Sequence, residues 1–123
     1  MIFETVQEWA KCREGMLAAL TRCEGTHTED DVIEMLLKGH LRLLTEGRSG
    51  VVVEVLAYPR QKHLNCFLVG GNLAEVLEIE KRLPAIAAQY GCCKIVCSGR
   101  HGWTKVLTEH GWKVVTTYMQ KEV

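Results

Sequence analysis

The stretch Val51-Val52-Val53-Glu54-Val55-Leu56-Ala57-Tyr58, then Pro59-Arg60-Gln61-Lys62, then Leu64-Asn65-Cys66-Phe67-Leu68-Val69 and Gly70-Gly71-Asn72, decides how this chain folds. The first run is rich in β-branched residues, the proline-led middle is a turn, and the second run stops at paired glycines, so two strands joined by a short turn are predicted. Just upstream, Leu41, Leu43 and Thr45 alternate with Arg42, Leu44 and Glu46, and Gly47-Arg48-Ser49-Gly50 supplies another turn. Three strands with short connections make an antiparallel meander.

Both flanks read as helical. Residues 3–22 put Phe3, Val6, Trp9, Ala10, Leu17 and Leu20 near one face at helical spacing. Gly15 weakens the middle of that helix by about 1 kcal/mol relative to alanine. Thr28-Glu29-Asp30-Asp31 has the form of a helix start, because a threonine oxygen accepts the third amide and acids favour the positive helix end. Val32, Ile33, Leu36 and Leu37 follow as an apolar stripe, and Gly39 is a natural stop.

Beyond the meander, residues 73–90 return to helical spacing. Pro84 lacks an amide donor, so the helix either kinks there or divides, with Pro84 in the first turn of the second piece. Lys94-Ile95-Val96-Cys97 reads as a short strand, residues 101–110 as a helix with Trp103, Val106 and Leu107 inward, and Trp112 to Met119 as a final strand. The order ααβββαβαβ implies an α/β (α+β) fold with a mixed, mostly antiparallel sheet flanked by helices. The 123 residues form a single domain, 1–27 being an N-terminal helix and connection and 28–123 the core.

Apolar residues make up 47% and charged residues 24%, an ordinary globular balance. The formal net charge of zero leaves no global source of attraction to nucleic acid or to an anionic membrane, so neither is expected as a partner. No cationic, apolar leader opens the chain and no run of about 18 apolar residues occurs. The six cysteines read as free thiols in a reducing cytoplasm. In a strand Cys93 and Cys97 would lie about 13 Å apart, too far to share a zinc ion. His27, His40, His63 and His110 have no ligand spacing, so no metal is expected.

The element order from about Thr28 to Val123, and above all Arg100-His101-Gly102-Trp103-Thr104-Lys105-Val106-Leu107-Thr108-Glu109-His110-Gly111-Trp112, resemble the GNAT fold of acetyl-CoA-dependent N-acetyltransferases. Tyr58-Pro59-Arg60, Gly70-Gly71, Gly91-Cys92 and Gly99-Arg100-His101-Gly102-Trp103 also resemble small GNAT-like proteins carried by phages and prophages. The resemblance implies that acetyl-CoA phosphates would rest on backbone amides at Val69-Gly70-Gly71-Asn72-Leu73, the strand-to-helix junction. The family's spaced-glycine pattern is missing there, and Glu75 adds negative charge.

The family's acid is a tyrosine in the last helix, and the matching position is Leu107. Tyr118 lies outside that motif, and Glu54, the one carboxylate within residues 51–57, faces either a site or solvent. The catalytic residues are therefore unknown from the sequence. Arg100 and His101 open the last helix, either to grip an anion or to be solvated.

Two expectations follow. One is a GNAT-like protein of phage or prophage origin serving as a binding or assembly component. It would work in the host cytoplasm or the virion with a phage protein partner, or as a homodimer through an exposed sheet edge, the chain ending about where a seventh strand should begin. The alternative is an N-acetyltransferase that uses acetyl-CoA and acts on an amine.

Overall fold

Pairing of the β-branched runs organises the computed structural model, which describes residues 2–99 and 101–123. Strand β2 (Ser49–Ala57) lies between β1 (Arg42–Glu46) and β3 (Lys62–Gly70), antiparallel to both. A fourth strand, β4 (Lys94–Cys97), runs parallel to β3 and completes the order β1-β2-β3-β4. Helices α1 (Ile2–Thr21) and α2 (Glu29–Leu37) precede the sheet; α3 (Leu73–Glu80) and α4 (Leu83–Gln89) join β3 to β4, and α5 (His101–Thr108) follows β4. This is the mixed, mostly antiparallel sheet with flanking helices that the sequence predicted.

Each face of the sheet has its own core. On one, Trp9, Cys12, Met16, Ala19 and Leu20 of α1 and Val32 of α2 pack on Val52 and Leu68. On the other, Ile79, Leu83, Ile86 and Ala87 pack on Val51, Val53, Leu64 and Cys66. Alternation along β3 sends Leu64 and Cys66 to the second core, yet Leu68 belongs to the first. The cause is a bulge: Val52 pairs with Leu68 and Val53 with Cys66, so Phe67 has no partner on β2.

Local chemistry explains the helix ends. Thr28 Oγ1 accepts from Asp31 N at 3.2 Å while Asp31 Oδ2 accepts from Thr28 N at 2.9 Å, a reciprocal cap for α2. Pro84 sits in the first turn of α4, which resolves the kink-or-divide choice in favour of two helices.

Two expectations are corrected. The inward stripe of α1 is Trp9, Cys12, Met16, Ala19 and Leu20, whereas Phe3 is 72% and Val6 48% exposed and Ala10 faces out. At 20 residues α1 is about 30 Å long, and its first turns have no buried residue, so only its later part packs on the sheet. Residues 112–119 are not a strand: they form no regular element and pair with nothing in the sheet. Their β-branched composition favours extended backbone, but a strand also needs a neighbour to bond, and this segment has none in the sheet. Gln120 Nε2 instead donates to Glu24 Oε2, past the end of α1, at 3.0 Å. Among the described residues no helix is long and apolar enough to cross a membrane.

Candidate functional site

The parallel ladder of β3 and β4 ends at Cys66 and Cys97, immediately before the bulge, while β3 continues to Gly70. From Phe67 onward β3 has no strand neighbour on that side among the described residues, so its edge is open just where β4 stops. A cavity of about 170 Å³ fills the gap. Val69, Leu77, Leu107 and the rings of Trp103 and Trp112 give it an apolar wall, and its only charged lining residues among those described are Arg22 and Glu80.

Glu80 is held in place by Trp112, whose indole Nε1 donates to Oε1 at 3.1 Å. Its second oxygen has no hydrogen-bond partner among the described residues. Burial pushes the Cys66 thiol up to about 12, with Cys97 and Glu80 adding to the effect, and burial also raises Cys97. Both thiols are therefore neutral at physiological pH and line the cavity as small apolar groups.

The junction Val69-Gly70-Gly71-Asn72-Leu73 sits at the open end of this gap. Its glycines answer to packing. A side chain at Gly70 would stand 2.3 Å from the carbonyl oxygen of Gly15, so α1 and β3 meet backbone to backbone. Gly71 turns with φ +116° against Ser49.

Much of the junction's polar capacity is spent internally. Buried Ser49 accepts from Asn72 N at 2.9 Å and donates to Glu75 Oε1 at 2.7 Å. Asn72 caps α3 by accepting from Glu75 N at 2.9 Å, and its amide donates to Glu75 Oε1 at 2.7 Å. Glu75 is thus a clasp between the β1–β2 turn and the start of α3.

Over the same junction lies a second, polar cavity of about 520 Å³. Arg22, Val69 and Trp103 line both spaces, so the polar and the apolar cavity adjoin. Arg22 and Arg48 border the polar cavity, and neither side chain has an ion pair or hydrogen bond among the described residues. Lys11, also there, is paired with Glu8 at 2.7 Å.

The remaining candidates divide. Leu107, the position expected from the resemblance to match a general acid, lines the apolar cavity with a side chain that cannot give a proton. Glu54 is half-buried on β2 and accepts from its cross-strand partner Asn65 at 2.9 Å, in the ladder before the bulge. Tyr118 is 81% exposed in the tail. Arg100 lies outside the described residues, as does the side chain of His101. Among the described residues no three His, Cys, Asp or Glu side chains converge to hold a metal, and all six cysteines are free.

Sequence reading passed over Glu80, Arg22 and Arg48. Glu80 follows Ile79 in an ordinary amphipathic helix, and only the position of Trp112 marks it out. The arginines stand in turns or helix ends where a solvated charge is commonplace.

Two solved structures superpose over nearly the whole chain. An acetyltransferase from Trypanosoma brucei matches with a TM-score of 0.71 at 12% identity, covering 95% of this chain and 94% of that one. Glucosamine-6-phosphate N-acetyltransferase from Arabidopsis thaliana matches with a TM-score of 0.63 at 13% identity, covering 94% and 93%. No family model and no curated protein matches the sequence. The likeness at these identities is one of fold, and the chain has the GNAT fold.

Proposed function

We propose that this GNAT-fold chain is an N-acetyltransferase that takes acetyl-CoA into the gap between β3 and β4 and acetylates an amine. The observation that carries the reading is the bulge at Phe67, which lies where the pairing of β3 with β4 ends, beside a polar and an apolar cavity that share Arg22, Val69 and Trp103. Arg22 and Arg48 would hold the phosphates, at the polar cavity above Val69, Gly70, Gly71, Asn72 and Leu73. The walls at Val69, Leu77 and Trp103 would take the less polar arm. When bound, acetyl-CoA supplies an activated acyl group as its thioester.

The chain's own contribution is to exclude water and to handle one proton. Glu80, with one oxygen fixed by Trp112 and the other unpartnered, is positioned to accept the proton an attacking amine sheds. With leucine at position 107, no side chain at the family's acid position donates to the departing thiolate, so the thiolate would leave unprotonated or take its proton from water.

A thermal shift with acetyl-CoA tests the reading. A ligand at 100 times its dissociation constant stabilises by about 2.7 kcal/mol, which moves the melting point by several degrees. Arg22→Ala with Arg48→Ala should abolish that shift, while Glu80→Gln should keep it and lose CoA-thiol release with primary amines. An unmoved melting point at millimolar acetyl-CoA refutes the proposal.

One observation favours a second reading. With leucine at the position expected for the acid and the junction donors held by Ser49, Asn72 and Glu75, the same cleft would serve a non-catalytic binding or assembly part. A cofactor-induced shift with no acyl transfer to any amine would favour it.

A further inference from the structure

The two charged residues that line the apolar cavity among those described are placed differently. Arg22, just past α1, also borders the polar cavity, whereas Glu80, the last residue of α3, lines the apolar one only. Trp112 Nε1 engages one of its carboxylate oxygens at 3.1 Å and leaves the other without a hydrogen-bond partner among the described residues. The adjacent cation does not serve it, since Lys81 Nζ is bound to Glu78 Oε1 at 2.8 Å. A half-buried carboxylate beside apolar walls suits one hydrogen-bonding cation and repels a second anion.

A second charge of either sign would find little to meet there. Cys66 and Cys97, on the β3 and β4 walls, are held as neutral thiols by burial. Val76, Leu77, Leu83 and Leu107 offer only hydrocarbon.

We infer that the amine acetylated here is an apolar monoamine, with one ammonium group on a hydrocarbon body and neither a carboxylate beside the nitrogen nor a second amine. The inference rests on the acetyltransferase reading, in which phosphate engages Arg22, and adds to it the class of acceptor. The ammonium donates to the free oxygen of Glu80, and the body takes the hydrocarbon walls. A carboxylate on the neighbouring carbon would stand against Glu80 with like charge and no spare cation. A second ammonium would lose its water against leucine. In the transfer the nitrogen sheds two of its three protons, one through Glu80 to solvent and one to water. The C–N bond forms, the C–S bond breaks, and the thiolate takes a proton from water, so that an amide, CoA thiol and one released proton result.

Release of CoA thiol by the full chain with acetyl-CoA tests this on two matched pairs. Phenethylamine and phenylalanine differ by the carboxylate, and hexylamine and hexamethylenediamine by the second amine. The value of kcat/KM should be roughly 100-fold higher for phenethylamine than for phenylalanine. It should be about 10-fold higher for hexylamine than for the diamine. Calorimetric titration of phenethylamine with CoA thiol present reads recognition apart from chemistry. There Glu80→Gln should weaken the amine about 10-fold and leave the affinity for CoA unchanged. Equal or better turnover of phenylalanine or the diamine, or undiminished amine binding by Glu80→Gln, overturns the inference. So does a cofactor-induced thermal shift with no turnover of any of these amines. A melting point unmoved by acetyl-CoA instead fells the reading beneath it, and that assay contains no amine, so the two failures are told apart.

Discussion

Gly15→Ala sets two known magnitudes against each other. A glycine in the middle of a helix costs about 0.5–1 kcal/mol relative to alanine, so the exchange in α1 considered alone would stabilise. In the folded chain, however, the new methyl group would stand 2.8 Å from Gly71 N and 2.9 Å from Gly70 C. Both are backbone atoms in a junction pinned by Ser49, Asn72 and Glu75, so neither can yield by a rotamer change. Overpacking of this kind costs about 1–3 kcal/mol. The net expectation is a loss of about 1 kcal/mol, or roughly 4 °C in melting point for a domain of this size.

Gly70→Ala lacks the helical gain and meets Gly15 O at 2.3 Å, so it should fall further, by about 3 kcal/mol. Gly102→Ala in α5 meets nothing within 4 Å and should hold or rise slightly. Thermal denaturation of the three variants side by side is the assay. A Gly15→Ala protein that melts several degrees above the parent would refute the backbone-to-backbone contact and the account of the junction built on it.

Ser49→Ala should lose about 1–3 kcal/mol by thermal or urea denaturation, because it leaves the Asn72 amide without its acceptor. Stability should also depend on acid. Hydrogen bonds from Arg13 and then Trp9 hold Glu29 below the ordinary glutamate value of 4.5, and Lys11 and then Thr45 do the same for Glu8. A depressed folded value means that the stabilisation is complete above the unfolded value and is lost as pH falls through and below it. Urea midpoints should therefore decline from about pH 4.5 downward, less steeply in Trp9→Phe. Thiol labelling should modify exposed Cys93 first, while Cys12 and Cys66, buried and pushed up to about 11 and 12, should react only on unfolding.

The strands, the capped start of α2 and the division at Pro84 were legible because each rests on local chemistry: alternation, a reciprocal side-chain cap, a missing amide. The last strand was misread for the same reason. Trp112 to Met119 has strand composition, but a strand is a pair, and its partner lies nowhere in the local sequence. In α1 the helical stripe was right in period and shifted in face, since how far the helix overhangs the sheet is a tertiary matter.

The junction Val69 to Leu73 was legible from its glycines as a strand-to-helix turn, while the packing reason for them was not visible. Gly15 read as a flaw in a helix, and only the fold sets it against Gly70. Glu80 gave no signal at all, since the residue that fixes it, Trp112, lies 32 positions further on, beyond α5.

Phe67 is the surplus residue of β3, and every other side chain of that strand already alternates correctly once it is skipped: Cys66 to one core, Leu68 to the other, Val69 back again. Deleting that phenylalanine would leave a regular hairpin with no side chain re-faced. The sheet would lose the bulge that stands where the pairing with β4 ends and the cavity begins. The alternation that fixes the fold thus absorbs the extra residue intact, and the surplus phenylalanine is left as part of the cavity wall.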